Sequence, residues 1–132
     1  MIINYAAPVL VVDDQIRMVD LAKRLLSRLG FEQVHHECDG EKALARLRSL
    51  DYQLVLCDMH MQPISGLQFL RSIRQEDALK MTRFILMTGS VEPSAVKAAK
   101  LAGADAYILK PFTHHQLQTK VEEVFSRERR SR

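Results

Sequence analysis

Pro8-Val-Leu-Val-Val-Asp-Asp14 sets an uninterrupted apolar run directly against two acids. Without polar alternation, such a run suits a strand buried on both faces, as in a parallel sheet. Working outward, four more short runs follow: a weaker one over Gln33–His36, then Leu54-Val-Leu-Cys57, Arg83-Phe-Ile-Leu-Met87 and Ala106-Tyr-Ile-Leu109. Each is followed by a helical pattern. Apolar stripes run through Ile16, Val19, Ala22, Leu25, Leu26 and Leu29; through Ala43, Leu44 and Leu47; and through Leu67, Leu70 and Ile73. Ala95, Val96 and Ala99 mark a fourth helix, and Leu117, Val121 and Val124 a fifth. The punctuation agrees: Gly30 and Gly103 stand where left-handed C-terminal caps belong, Asp39 and Thr113 where N-caps belong, and Pro93 in a first turn. Five strand–helix units with short connections predict an open, doubly wound α/β parallel sheet with helices on both faces and right-handed crossovers.

The chain of 132 residues suits one domain. Two cysteines make no disulfide framework and point to a reducing compartment. The longest apolar runs fall far short of the ~20 residues of a membrane span. The opening Met1-Ile-Ile-Asn-Tyr has no basic secretory n-region, so a cytoplasmic, non-membrane protein is expected. The net charge of +3 lies entirely in Arg127-Glu-Arg-Arg-Ser-Arg132, which holds four Arg and one Glu; the other 126 residues carry 15 basic and 15 acidic side chains. A nucleic-acid-binding fold would carry its basic stripe through the body, so no direct nucleic-acid binding is expected. Residues 1–126 read as the domain and 127–132 as a basic tail or linker stub.

The reactive side chains share one position. Asp13 and Asp14 follow the first strand, Asp58 the third, Thr88 the fourth and Lys110 the fifth. Ligands of open α/β sheets bind at the carboxyl ends of the strands, so these residues should meet in one crevice. Three carboxylates brought together repel unless a cation sits among them, and an oxygen-only donor set suits Mg²⁺. A carboxylate can also act as a nucleophile and form an aspartyl-phosphate, with Asp58 at the centre of the arrangement the best candidate. Lys110 adds a compact positive charge able to reach a phosphate oxygen, Thr88 a hydroxyl donor, and Gly89 an open approach.

Val11-Val-Asp-Asp14, Leu56-Cys-Asp-Met-His-Met61 with Gly66, Met87-Thr-Gly89 and Gly103-Ala-Asp-Ala-Tyr-Ile-Leu-Lys-Pro-Phe112 occur in an order and spacing that resembles the receiver domain of response regulators. The resemblance covers about Pro8 to Phe125 and implies a flavodoxin-like sheet of order 2-1-3-4-5. It also implies that Asp58 accepts a phosphoryl group from a phosphohistidine on a histidine kinase or histidine phosphotransfer protein. Asp14 and Asp58 would ligate Mg²⁺ through side chains, His60 through its backbone carbonyl, and Asp13 chiefly through a metal-bound water. Lys110 would pair first with Asp58 and later with the phosphate, and Lys110-Pro111 would be cis. Thr88 and Tyr107 match the switch pair that remodels the surface of the fourth helix, fifth strand and fifth helix. The reader of that surface would be a downstream effector or an output domain, the receiver either acting alone or joined to a longer regulator or hybrid kinase. Such a protein is a switch rather than an enzyme, its chemistry limited to its own phosphoryl transfer and autodephosphorylation. Gln62 stands where the family commonly has proline, and Pro63 comes next, which bears on the loop's conformation; His60 and Ser90 occupy variable positions tied to phosphoryl lifetime.

Other constellations carry less. His35, His36, Cys38, Cys57 and His60 lack the paired spacing of structural zinc sites, and Cys57 falls inside an apolar strand. A haloacid-dehalogenase-like phosphohydrolase would usually place an acid two residues after its nucleophile, where this chain has His60. A phosphorylation-independent interaction domain is opposed by the full acid, hydroxyl and lysine set.

Overall fold

The computed structural model describes residues 2–90 and 92–127. Strands and helices alternate: β1 (Val9–Val12), α1 (Ile16–Leu29), β2 (Val34–Glu37), α2 (Gly40–Ser49), β3 (Leu54–Asp58), α3 (Gly66–Gln75), β4 (Arg83–Thr88), α4 (Pro93–Ala102), β5 (Ala106–Leu109) and α5 (His114–Ser126). All strand pairs are parallel, in the order β2-β1-β3-β4-β5. The order reverses at β1, from which the chain steps out to β2 on one side and later to β3 on the other. A crevice opens at such a point.

The apolar runs are explained by two cores, one on each face. Val9, Val11, Leu54, Leu56, Ile85 and Met87 pack with α1 and α5 through residues such as Val19, Leu26, Leu117 and Val124. Their neighbours Leu10, Val12, Val55, Cys57, Phe84 and Leu86 pack the other way, with α2, α3 and α4. Val9–Val12 and Leu54–Cys57 are consequently all 0% exposed. Each fully buried aliphatic side chain contributes about 1.5–3 kcal/mol. Edge strand β2, Val-His-His-Glu, is only half-buried throughout, which is why its sequence is polar.

The caps stand where the punctuation put them. Gly30 (φ 117°) and Gly103 (φ 97°) end α1 and α4 in the left-handed region. Asp39 accepts from Lys42 N at 2.8 Å. Thr113 and Gln116 form a reciprocal capping box, as do Ser65 and Gln68. Three details differ from the sequence reading. Ile16 is 57% exposed and Leu29 half-buried, while Met18 joins the buried stripe. Ile16 sits six residues from Ala22, about 120° round the helix from the stripe's centre. The second strand runs one residue later than Gln33–His36, although Gln33 O already accepts Val9 N at 2.9 Å. Arg127 lies against the domain, donating to the Asp105 carbonyl and, at 3.1 Å, to Glu123; the rest of the expected tail, 128–132, lies outside the described residues.

Candidate functional site

Parallel pairing sends every strand's carboxyl end to one edge of the sheet. The register sets Val12 beside Cys57, Asp58 beside Met87 and Thr88 beside Leu109. Backbone bonds carry the ladder past the strand ends: Asp13 N donates to Glu37 O at 3.2 Å, Met59 N to Met87 O at 2.8 Å, and Lys110 N to Thr88 O at 2.7 Å. Asp13, Asp14, Asp58, Thr88 and Lys110 are thereby gathered along one rim.

The three acids form a cup. Each of Asp13, Asp14 and Asp58 offers an oxygen within 4.8 Å of the others. Asp13 is fully buried and Asp58 6% exposed, while Asp14 is exposed and forms the open side. Lys110 Nζ donates to Asp58 Oδ1 at 3.0 Å and to Asp13 Oδ2 at 3.3 Å. One ammonium thus contacts two of the three carboxylates of the cup. Burial pushes the Asp13 carboxyl above its usual range and the Asp58 charge adds to this; the Gln15 N–H and Lys110 act in the opposite direction. For Lys110, burial opposes the charged form, but the hydrogen bond to Asp58 and the charges of both acids outweigh it and hold the amine above its ordinary value. An oxygen-only donor set with an open side and uncompensated negative charge fits Mg²⁺. His60 lies on the exposed turn two residues past Asp58.

The loops explain why the cup holds its shape. Gln15 N donates to Asp13 Oδ1 at 2.9 Å, so Asp13 closes a turn on itself before α1 begins. The sequence reading does not single out Gln15, although an Asp just ahead of a helix start is the usual signal for such a turn. Gly66, the first residue of α3, donates to Met59 O at 2.9 Å and lies so close to Asp58 that a Cβ would stand 2.1 Å from the Asp58 carbonyl oxygen. Both Lys110-Pro111 and Gln62-Pro63 are cis.

Thr88, 1% exposed, engages its hydroxyl with the Ser90 main chain: Oγ1 accepts Ser90 N at 3.1 Å and donates to Ser90 O at 3.3 Å. Tyr107 is half-buried, with Lys120 Nζ 5.3 Å from its ring centroid. It lines a groove of about 430 Å³ between α4, β5 and α5 together with Lys100, Lys120, Glu123 and Arg127. The sulfur and imidazole groups do not converge. Cys57 is buried and donates to Asp58 O at 3.3 Å, and burial with the nearby Asp58 and Asp13 charges pushes its thiol well up, against thiolate formation. His35 is bonded to Tyr52 and His36 to Lys23.

A doubly wound sheet with its charged groups at the order-reversal edge is the architecture of a large class of α/β domains. Within that class the assignment is direct: the model of the response regulator receiver domain matches residues 9–122, and the chain belongs to that family. It is similar to chemotaxis protein CheY-3 of Vibrio cholerae serotype O1, 33% identical over 126 residues covering 96% of this chain and 97% of that one. Chemotaxis protein CheY of Pseudomonas aeruginosa is also 33% identical, over 90% of this chain and 96% of its own. Among solved structures, the chemotaxis response regulator CheY4 of Vibrio cholerae superposes with a TM-score of 0.84 at 27% identity, covering 90% of this chain and 98% of that one. The signal receiver domain of a signal transduction histidine kinase from Syntrophus aciditrophicus gives 0.82 at 26% identity, covering 92% and 91%. The expected strand order matches these folds.

Proposed function

We propose that the protein is a phosphoryl-accepting switch of two-component signalling, with Asp58 the acceptor and a phosphohistidine of a histidine kinase or phosphotransfer protein the donor. The observation that carries this reading is the cup itself: a nearly buried Asp58 carboxylate, held at 3.0 Å by Lys110, between two further acids. An Asp58 oxygen attacks phosphorus and forms the O–P bond, while the P–N bond breaks and its electron pair leaves with the imidazole, which takes up a proton. Asp13, Asp14 and Asp58, with the His60 carbonyl, would hold Mg²⁺. When bound, the ion neutralises charge on the phosphoryl oxygens and the carboxylates. Lys110, already between Asp58 and Asp13, moves its hydrogen bond to a phosphoryl oxygen.

The readout follows from Thr88. Its hydroxyl exchanges Ser90 for a phosphoryl oxygen, an interaction present in one state alone, which is what shifts a two-state element. Tyr107 turns inward and the α4–β5–α5 surface changes for a downstream effector or output domain. The reading places the protein in the cytoplasm with such kinases; no described helix is long and apolar enough to cross a membrane. Mass spectrometry after incubation with acetyl phosphate and Mg²⁺ tests it. One phosphoryl addition is expected in the wild type and none in Asp58→Ala. Addition that persists in Asp58→Ala, or none in the wild type, overturns the assignment.

A further inference from the structure

Beside β2 lies a chain of polar side chains that the phosphoryl chemistry does not use. Tyr52, buried just ahead of β3, places its hydroxyl 2.6 Å from His35 Nδ1. Arg46 of α2 donates Nη1 to the same hydroxyl at 3.4 Å and its Nε to Glu37 of β2. A phenol can donate to Nδ1 or accept from it, and the neighbouring donor Arg46 favours the first arrangement. A guanidinium only donates, so the Tyr52 oxygen is an acceptor towards Arg46 and its own proton is free for His35. Nδ1 can accept that proton only in a neutral imidazole protonated at Nε2. An imidazolium would aim an N–H at an oxygen already facing Arg46 and deprive the phenol proton of its acceptor. The charges bearing on His35 are Arg46 from α2 and Lys23 from α1, both positive. Lys23 Nζ lies 3.3 Å from Nδ1 of the neighbouring His36. Glu37, two residues along β2, is engaged by Arg46.

We propose that His35, Tyr52, Arg46 and Glu37 form an acid-sensitive clasp fastening edge strand β2 to α2 and the start of β3, closed while His35 is neutral and opened by its protonation. Burial and the two cations hold His35 below the ordinary histidine range, in the direction the hydrogen bonds require. The fold thus favours the neutral ring. The clasp's stability is complete above the unfolded histidine pKa of ~6.5 and is lost as pH falls from there through the folded value. The strand end it fastens reaches the acid cup, since Glu37 O accepts Asp13 N–H at 3.2 Å.

Imidazole ¹⁵N NMR of the whole chain across about pH 5–8 reads both the tautomer and the titration. The wild type should show an unprotonated Nδ1 at His35 and a midpoint below the ordinary range, and Tyr52→Phe should move that midpoint up. In urea denaturation, the wild type should lose stability below about pH 6.5 and His35→Gln should lose less. A His35 midpoint at or above the ordinary range, an Nδ1-protonated neutral ring, or identical pH dependence in wild type and His35→Gln overturns the proposal. If His35→Gln does not fold, the wild-type NMR titration decides.

Discussion

Gly66→Ala places a methyl group where the structure has a carbonyl. The new Cβ would stand 2.1 Å from the Asp58 carbonyl oxygen and 3.0 Å from both Asp58 C and Met59 Cα. A carbon and a carbonyl oxygen in favourable contact sit about 3.3–3.6 Å apart, so the backbone must open by more than ~1 Å. Neither side yields easily. Asp58 ends a strand whose residues pair with β4, and Gly66 is tied to Met59 O at 2.9 Å. Helix propensity points the other way, favouring alanine over glycine by up to ~1 kcal/mol. Overpacking against well-fixed atoms costs about 1–3 kcal/mol, and backbone on both sides puts this case at the top of that range. The net loss is about 2 kcal/mol. At roughly 4 °C per kcal/mol for a domain of this size, Tm falls by about 8 °C. Because the displaced residue is the proposed acceptor, phosphorylation by acetyl phosphate should slow by up to about 100-fold. Thermal melts and a mass-spectrometric time course measure both effects. A variant that melts at or above the wild type and is phosphorylated at the wild-type rate refutes the steric reasoning.

Three further substitutions test other parts of the structure. Arg74 and Asp105, with side chains 10% and 7% exposed, form an ion pair in which Arg74 also donates to the Gly103, Lys80 and Thr82 carbonyls. Arg74→Ala leaves a buried carboxylate and should cost about 3–5 kcal/mol in urea denaturation; a loss under ~1 kcal/mol would show that the network carries little. Lys110→Ala removes the ammonium lying between Asp58 and Asp13. Mg²⁺ should then raise Tm more than it does in the wild type, and an equal rise would deny Lys110 its role as counter-charge. Thr113→Ala breaks the α5 capping box and should cost about 1 kcal/mol, read from the denaturation midpoint.

What could be read from the residues and what could not divides on physical grounds. Strands buried on both faces announce themselves as unbroken apolar runs, and β1, β3 and β4 were legible for that reason. Edge strand β2 borrows half its environment from solvent, so its polar sequence blurred its boundary by one residue. Gly30, Asp39, Pro93, Gly103 and Thr113 were legible because caps are local chemistry. Positions at strand ends were enough to group Asp13, Asp58, Thr88 and Lys110, since parallel topology converts them into proximity. Distances were not. That Thr88 bonds the Ser90 main chain, that Lys110 reaches Asp13 as well as Asp58, and that Arg74 meets Asp105 across 31 positions depend on loop paths and rotamers that no periodicity encodes.

The two thiols of the chain live in opposite worlds: Cys38 is exposed just past β2, and Cys57 is sealed inside β3 beside Asp58. A maleimide dye added to native protein will therefore take one equivalent, leaving a single label beside the edge strand. Uptake of a second equivalent will clock how often the central strand is laid bare.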